Sequence, residues 1–149
     1  MSLRIGTHLL ERIRAHGRSG YPYECCGFLL GKLGVDRSVR DLRPVDNRRS
    51  DSLETRYLIS PRDWFETEKE AAERGLEIVG VYHSHPDHPA IPSEFDRDNA
   101  LPFYSYIIVS VRQGRDAELS GWILSEDRAA FEREELLASE QGEEVNQCL

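Results

Sequence analysis

His83 and His85 stand two residues apart at the end of an apolar run, Leu76-Glu77-Ile78-Val79-Gly80-Val81-Tyr82-His83. If that run is a β-strand, period-two alternation puts both imidazoles on one face, their backbones roughly 6–7 Å apart. Two rings so placed can reach one metal ion at about 2.0–2.1 Å, the bond length nitrogen ligands make to zinc. A His-x-His pair alone is weak evidence, because many such pairs are hydrogen-bonded core histidines. Asp96, on the segment that follows, is the candidate third ligand. Three protein ligands leave a fourth position for water, the arrangement of catalytic rather than structural zinc. Zinc lowers the pKa of that water to about 7 and makes a nucleophile available at neutral pH. Asp87 and His88 are further candidate ligands in the intervening loop. Ser93 and Asp96 also have the spacing of a helix capping box, and the two roles are compatible.

The elements that must position these residues can be read along the chain. Ile5, Leu9, Leu10 and Ile13 recur at helical spacing within Ile5 to His16, with Gly17 and Gly20 as stop signals. Cys25 to Gly31 is a short apolar run suited to a buried strand, and Ser38 to Val45 is read as its hairpin partner. Asp46 to Glu54 reads as a loop and Arg56 to Ile59 as a short strand. Ser60-Pro61 opens a helix that Gly75 ends. The strand carrying the histidines follows and stops at Pro86, so the pair lies where a cleft forms. A helix begins near Ser93; Tyr104 to Val111 and Glu118 to Leu124 are two more strands; Ala129 to Leu137 is predicted to be helical. This order predicts an α/β sandwich, a mixed sheet flanked by helices. Residues 1–137 are read as one domain, and 138–149 as an acidic, mobile tail.

Composition narrows the function. Hydrophobic residues make up 39% and charged residues 31% of the 149, which is globular rather than disordered. The net charge of −8 comes with no basic cluster, which argues against nucleic acid or an anionic membrane as partner. No apolar run approaches the ~18 residues of a membrane span. Arg4, Glu11 and Arg12 interrupt the N-terminal segment, so it does not read as a signal peptide, and a cytoplasmic location is expected. Cys25, Cys26 and Cys148 make neither a disulfide framework nor a Cys-x-x-Cys zinc knuckle. In a strand, the adjacent Cys25 and Cys26 point to opposite faces, and a nucleophilic role for either is a minor alternative. No feature speaks to oligomeric state.

Taken together, His83-Ser84-His85-Pro86, with seven residues between His85 and Ser93, then Ser93-x-x-Asp96, resembles the metal signature of the JAMM (MPN-plus) metallopeptidases. Glu24-Cys25-Cys26-Gly27-Phe28-Leu29-Leu30-Gly31 is similar to that family's upstream glutamate and apolar strand. Asn47, Arg56-Tyr57 and the helix from Pro61 also fall where the family has comparable elements. The resemblance spans Ile5 to Leu124 and implies the cytidine-deaminase-like sandwich of that family in its minimal, stand-alone prokaryotic form. It implies that His83, His85 and Asp96 bind zinc. It further implies that Glu24 acts as general base and then acid, and that Ser93 donates to the oxyanion. The implied substrate is an amide or isopeptide bond at the Gly-Gly tail of a ubiquitin-like sulfur-carrier protein. Three alternatives remain: a non-catalytic zinc-binding scaffold, a peptidase of other small peptides, and a zinc deaminase. The last requires H-x-E and P-C-x-x-C, which the sequence lacks.

Overall fold

The computed structural model describes residues 2–139. In chain order its elements are β1 (Ser2–Gly6), α1 (Thr7–Gly20), β2 (Cys26–Lys32), β3 (Ser38–Val45), α2 (Pro61–Glu73), β4 (Glu77–Pro86) and α3 (Glu94–Asn99). They are followed by β5 (Ser105–Arg112), β6 (Asp116–Leu124), β7 (Phe131–Arg133) and β8 (Glu135–Ser139). The strands form one mixed sheet in the order β7-β6-β5-β4-β2-β3-β1-β8. β4 runs parallel to β5, and β1 runs parallel to both β3 and β8; the other ladders are antiparallel. This is the mixed sheet flanked by helices that the element order predicts. Among the described residues no helix is long and apolar enough to cross a membrane.

β2 shows why the sheet is covered on both sides. Its residues from Cys26 to Gly31 are all buried, as a strand apolar on both faces must be. Cys25 and Leu29 join Leu9, Leu10, Ile13 and Tyr82 in a core under α1, whereas Cys26, Phe28 and Leu30 join Ala71, Val81 and Tyr106 in a second core on the α2 side. Cys25 and Cys26 therefore do face opposite ways. Each large apolar side chain so buried contributes about 1.5–3 kcal/mol. On the α2 side, Trp64 meets Phe28 edge-to-face with ring centroids 4.9 Å apart.

Several boundaries differ from those expected. Ile5 belongs to β1, where it pairs with Val39 and Ala138, so the first helix starts at Thr7. That helix continues through Gly17: a Cβ there would lie 2.9 Å from a Val111 methyl, so this glycine serves close helix–sheet approach and not a stop. α2 begins as predicted, with Ser60 Oγ accepting from the Asp63 amide at 3.0 Å and Pro61 behind it. Arg56 to Ile59 is not a strand; it is held by bonds to Asn47 and by Arg48 N donating to Leu58 O. Ala129 to Leu137 is not a helix. Phe131–Arg133 pairs with β6, Glu134 N donates to Gly121 O, and the next five residues pair with β1. One segment thus ties together the two ends of the sheet. The acidic tail expected at 138–149 lies, from residue 140 on, outside the described residues, and β8 carries the sheet as far as Ser139.

Candidate metal centre

The register of β2 on β4 builds the site. Cys26 pairs with His83, which brings the segment before β2, and hence Glu24, alongside the end of β4. Ser84 points to the face opposite the two histidines. Its Oγ accepts from the Cys25 amide at 2.8 Å, and its own amide donates to Cys25 O at 3.1 Å. Ser84 therefore fastens the residue next to Glu24 to the residue between the histidines. Gly27 permits the same close approach, because a Cβ there would sit 2.3 Å from the Tyr82 ring.

On the α2-side face, His83 and His85 present their Nε2 atoms to each other at 3.3 Å. α3 supplies the third group. Ser93 and Asp96 form a reciprocal capping box: Ser93 Oγ accepts from Asp96 N at 3.0 Å, and Asp96 Oδ2 accepts from Ser93 N at 2.9 Å. The box turns the Asp96 carboxylate inward, with Oδ2 2.9 Å from His85 Nε2 and 3.3 Å from His83 Nε2. One donor atom from each of the three residues lies within 4.8 Å of the others. Asp87 is turned elsewhere, accepting from Tyr21 Oη at 2.6 Å and from the Gln113 amide at 2.8 Å.

The chemistry of this donor set fits a cation. His85 Nδ1 lies 2.8 Å from Pro89 O, which can only accept, so Nδ1 carries a proton and Nε2 is the ring atom turned to the other two groups. Burial lowers the His83 pKa, against the pull of the Asp96 carboxylate beside it. Burial works to raise the Asp96 pKa, but the two imidazoles outweigh it and hold the carboxyl well below the usual carboxylate range. Two imidazole nitrogens and a carboxylate oxygen thus converge on one point. Glu24 lies beside this cluster. It is 4% exposed, its Oε1 has no hydrogen-bond partner, and burial together with the negative charge of Asp96 pushes its pKa up to about 9. A divalent cation at the three donors would balance all of these groups.

A cleft of about 290 Å³ opens over the site, lined by Glu24, Thr55, His85, His88, Pro89, Ile91 and Ser93. Glu24, His85 and Ser93 therefore border one cleft, while His83 and Asp96 do not line it. His88 lines this cleft but is not part of the three-residue donor group. Cys25 and Cys26 are buried free thiols; burial pushes Cys25 up to about 11 and Cys26 higher still, which removes them as nucleophiles. Sequence reasoning missed the backing of the site. Ser84 was signalled by its place between the histidines, on the other face of a period-two strand. Tyr57, stacked on His83 with ring centroids 4.5 Å apart, was signalled only by the family resemblance of Arg56-Tyr57 and not as a partner of His83.

Comparison with known proteins places this geometry in context. Residues 6–134 match the family described as prokaryotic homologs of the JAB domain. The desampylase of Pyrococcus furiosus is 33% identical over 125 residues, 84% of this chain and 83% of that protein. A probable TtuB-protein conjugate cleaving protease of Thermus thermophilus is 35% identical over 106 residues, covering 71% and 68% of the two chains. The CysO-cysteine peptidase of Mycobacterium tuberculosis is 31% identical over 121 residues, covering 80% and 81%. Among solved structures, a Desulfitobacterium hafniense protein superposes with a TM-score of 0.81 at 28% identity, over 93% of this chain and 94% of that one. A Salinibacter ruber protein gives 0.72 at 42% identity, over 91% of each.

Proposed function

The chain belongs to the prokaryotic JAB-domain family, and from that membership and the site we propose that it is a zinc-dependent peptidase. Its substrate is the amide or isopeptide bond that follows the C-terminal Gly-Gly of a ubiquitin-like sulfur-carrier protein. The observation that carries the reading is the convergence of His83, His85 and Asp96 beside the buried, unpartnered carboxyl of Glu24. Relatives named as a desampylase, a conjugate-cleaving protease and a CysO-cysteine peptidase support the substrate class. Residues 1–137 are read as one peptidase domain.

Bound at these three residues, a zinc ion supplies Lewis-acid chemistry and positive charge where negative charge develops. The protein's own groups do the rest. Glu24 accepts a proton from the attacking water and delivers it to the departing amine nitrogen, the two halves of general base and acid work. Burial and the Asp96 charge raise the Glu24 pKa without a metal; the charge of a bound cation would oppose that rise and favour the carboxylate that takes the proton. The Ser93 hydroxyl already accepts from Asp96 N and keeps its own proton free to donate to the oxyanion. The helix cap thereby aims both a metal ligand and an oxyanion donor. A non-catalytic scaffold reading leaves the buried Glu24 in the cleft without a purpose.

Two measurements test this together. Metal analysis should find about one zinc per chain, the stoichiometry of a three-ligand open site, and little in Asp96→Ala. Incubation with a Gly-Gly-tailed carrier bearing an extra C-terminal residue should release that residue, read by mass spectrometry. Glu24→Gln should keep its zinc and lose about 10²–10⁴-fold in rate. Equal rates for wild type and Glu24→Gln would falsify the proposed role.

A further inference from the structure

Metal-bound histidines ordinarily donate their second ring nitrogen to an acceptor, which fixes the ring's orientation. His85 obeys this rule through Pro89 O. His83 does not: its Nδ1 is buried without a hydrogen-bond partner. What holds this ring is an aromatic face. Tyr57 lies against it with centroids 4.5 Å apart and planes 21° from parallel.

Tyr57 comes from the irregular segment 47–58, and that segment is anchored with unusual specificity. Asn47 Nδ2 donates to the carbonyl just before Tyr57, that of Arg56, at 3.0 Å, and Asn47 Oδ1 accepts from the amide just after it, that of Leu58, at 3.0 Å. The same Nδ2 donates to Glu24 O at 3.1 Å, while Glu24 N donates to Leu53 O at 2.7 Å. One amide side chain thus brackets Tyr57 and grips the backbone of Glu24. The segment also reaches the third ligand, because the Arg56 guanidinium sits 4.5 Å from the ring of Phe95, next to Asp96.

We propose that Tyr57 is the positioning residue for His83, stacking in place of the missing hydrogen bond, and that Asn47 keeps it in register with Glu24. This rests on the metal-centre reading above. A ring held by its face keeps the imidazole plane fixed but leaves Nδ1 without an acceptor. His83 is then a weaker electron donor than His85, and the centre has two inequivalent histidines.

The test uses the full chain, stripped of metal and titrated with cobalt(II) against a competing chelator, with the visible ligand-field spectrum recorded. Wild type should bind through His83, and His83→Ala should lose that binding; if wild type binds no cobalt, or His83→Ala binds as well, the metal reading itself fails. Given that binding, Tyr57→Phe should match wild type in affinity and spectrum, since it retains the aromatic face. Tyr57→Leu should bind about 10- to 100-fold more weakly, with a shifted spectrum, at a temperature where circular dichroism shows the metal-free variant folded. Wild-type affinity and spectrum in Tyr57→Leu overturn the proposal, as does a loss in Tyr57→Phe equal to that in Tyr57→Leu. Should Tyr57→Leu fail to fold, Asn47→Ala decides: it keeps the tyrosine but frees its flanks, and cobalt binding identical to wild type overturns the proposal.

Discussion

Stripped of metal, the protein should lose stability as pH rises from about 6.5 to about 8, and Glu24 sets the slope. Its folded carboxyl holds a proton up to about 9, whereas in the unfolded chain it ionises near 4.3. Between these values the folded state binds one more proton than the unfolded state, so stability falls with pH. The slope approaches about 1.4 kcal/mol per pH unit for a single group. The window is bounded by other residues. His16 and His83, whose pKa values burial lowers, act below about 6.5 and with the opposite sign. The buried thiols of Cys25 and Cys26 begin to contribute near 8.5, where unfolded cysteine ionises. Across the remaining one and a half units, roughly, the loss is about 2 kcal/mol. For a chain of this size that lowers Tm by about 4–8 °C. The assay is thermal unfolding in chelator at fixed ionic strength, on wild type and Glu24→Gln. The glutamine variant, which cannot ionise, should give a flat profile. Parallel profiles for the two proteins would refute the reasoning, because the slope would then belong to some other group.

Ser93→Ala removes the acceptor for Asp96 N and should cost about 1 kcal/mol by urea unfolding. If its hydroxyl serves the oxyanion, kcat on a Gly-Gly-tailed substrate should also drop about 10²–10³-fold with KM little changed; an unaltered kcat removes that role. Gly27→Ala drives a methyl into the Tyr82 ring and should destabilise by about 1–3 kcal/mol, with the 2.7 Å Tyr82–His16 hydrogen bond disturbed. A melting curve superimposable on wild type would contradict the close approach. Ser84→Ala leaves the buried Cys25 amide without its side-chain acceptor and should cost about 1–3 kcal/mol. Because Cys25 follows Glu24, turnover should fall further than stability alone explains; an effect on stability only would show that the Glu24 backbone is fixed without it.

The parts of the site carried by local periodicity were legible in the sequence. Period two put His83 and His85 on one face, and the Ser93-x-x-Asp96 spacing anticipated a cap that also turns a carboxylate inward. The helix at Ser60-Pro61 was legible for the same reason, since its signal lies in adjacent residues. Non-local features were not. Ala129 to Leu137 has the composition of a helix, yet its residues gain more by pairing with β6 and β1 than local propensity can oppose. β1 is only five residues long and runs directly into α1, so its strand character merged with the helical pattern. Tyr57 and Asn47 act across a long irregular segment whose bonds are side chain to backbone, and no spacing rule encodes those. A break in period also hid inside β4. Its pairing slips between the Leu29–Gly80 and Leu30–Ile78 partners, so Val79 faces the α1 core while Val81 faces the other.

The pairing of β1 with β8 has a consequence for how the protein is made. Leu3 finds its partner in Leu136, almost the whole described chain later, whereas β3 offers β1 only the Arg4–Ser38 and Ile5–Val39 partners. On a ribosome, β1 emerges long before β8, the last of the described strands, which closes its outer flank. Everything that forms the metal centre, from Glu24 to the β5 partner of β4, is synthesised in between. The residues of the centre are therefore all synthesised before β8. Until β8 arrives, the outer side of β1 is an open edge with unpaired amides and carbonyls. Closing that ladder is the long-range step of highest sequence separation, and it sets the contact order against which folding speed is judged.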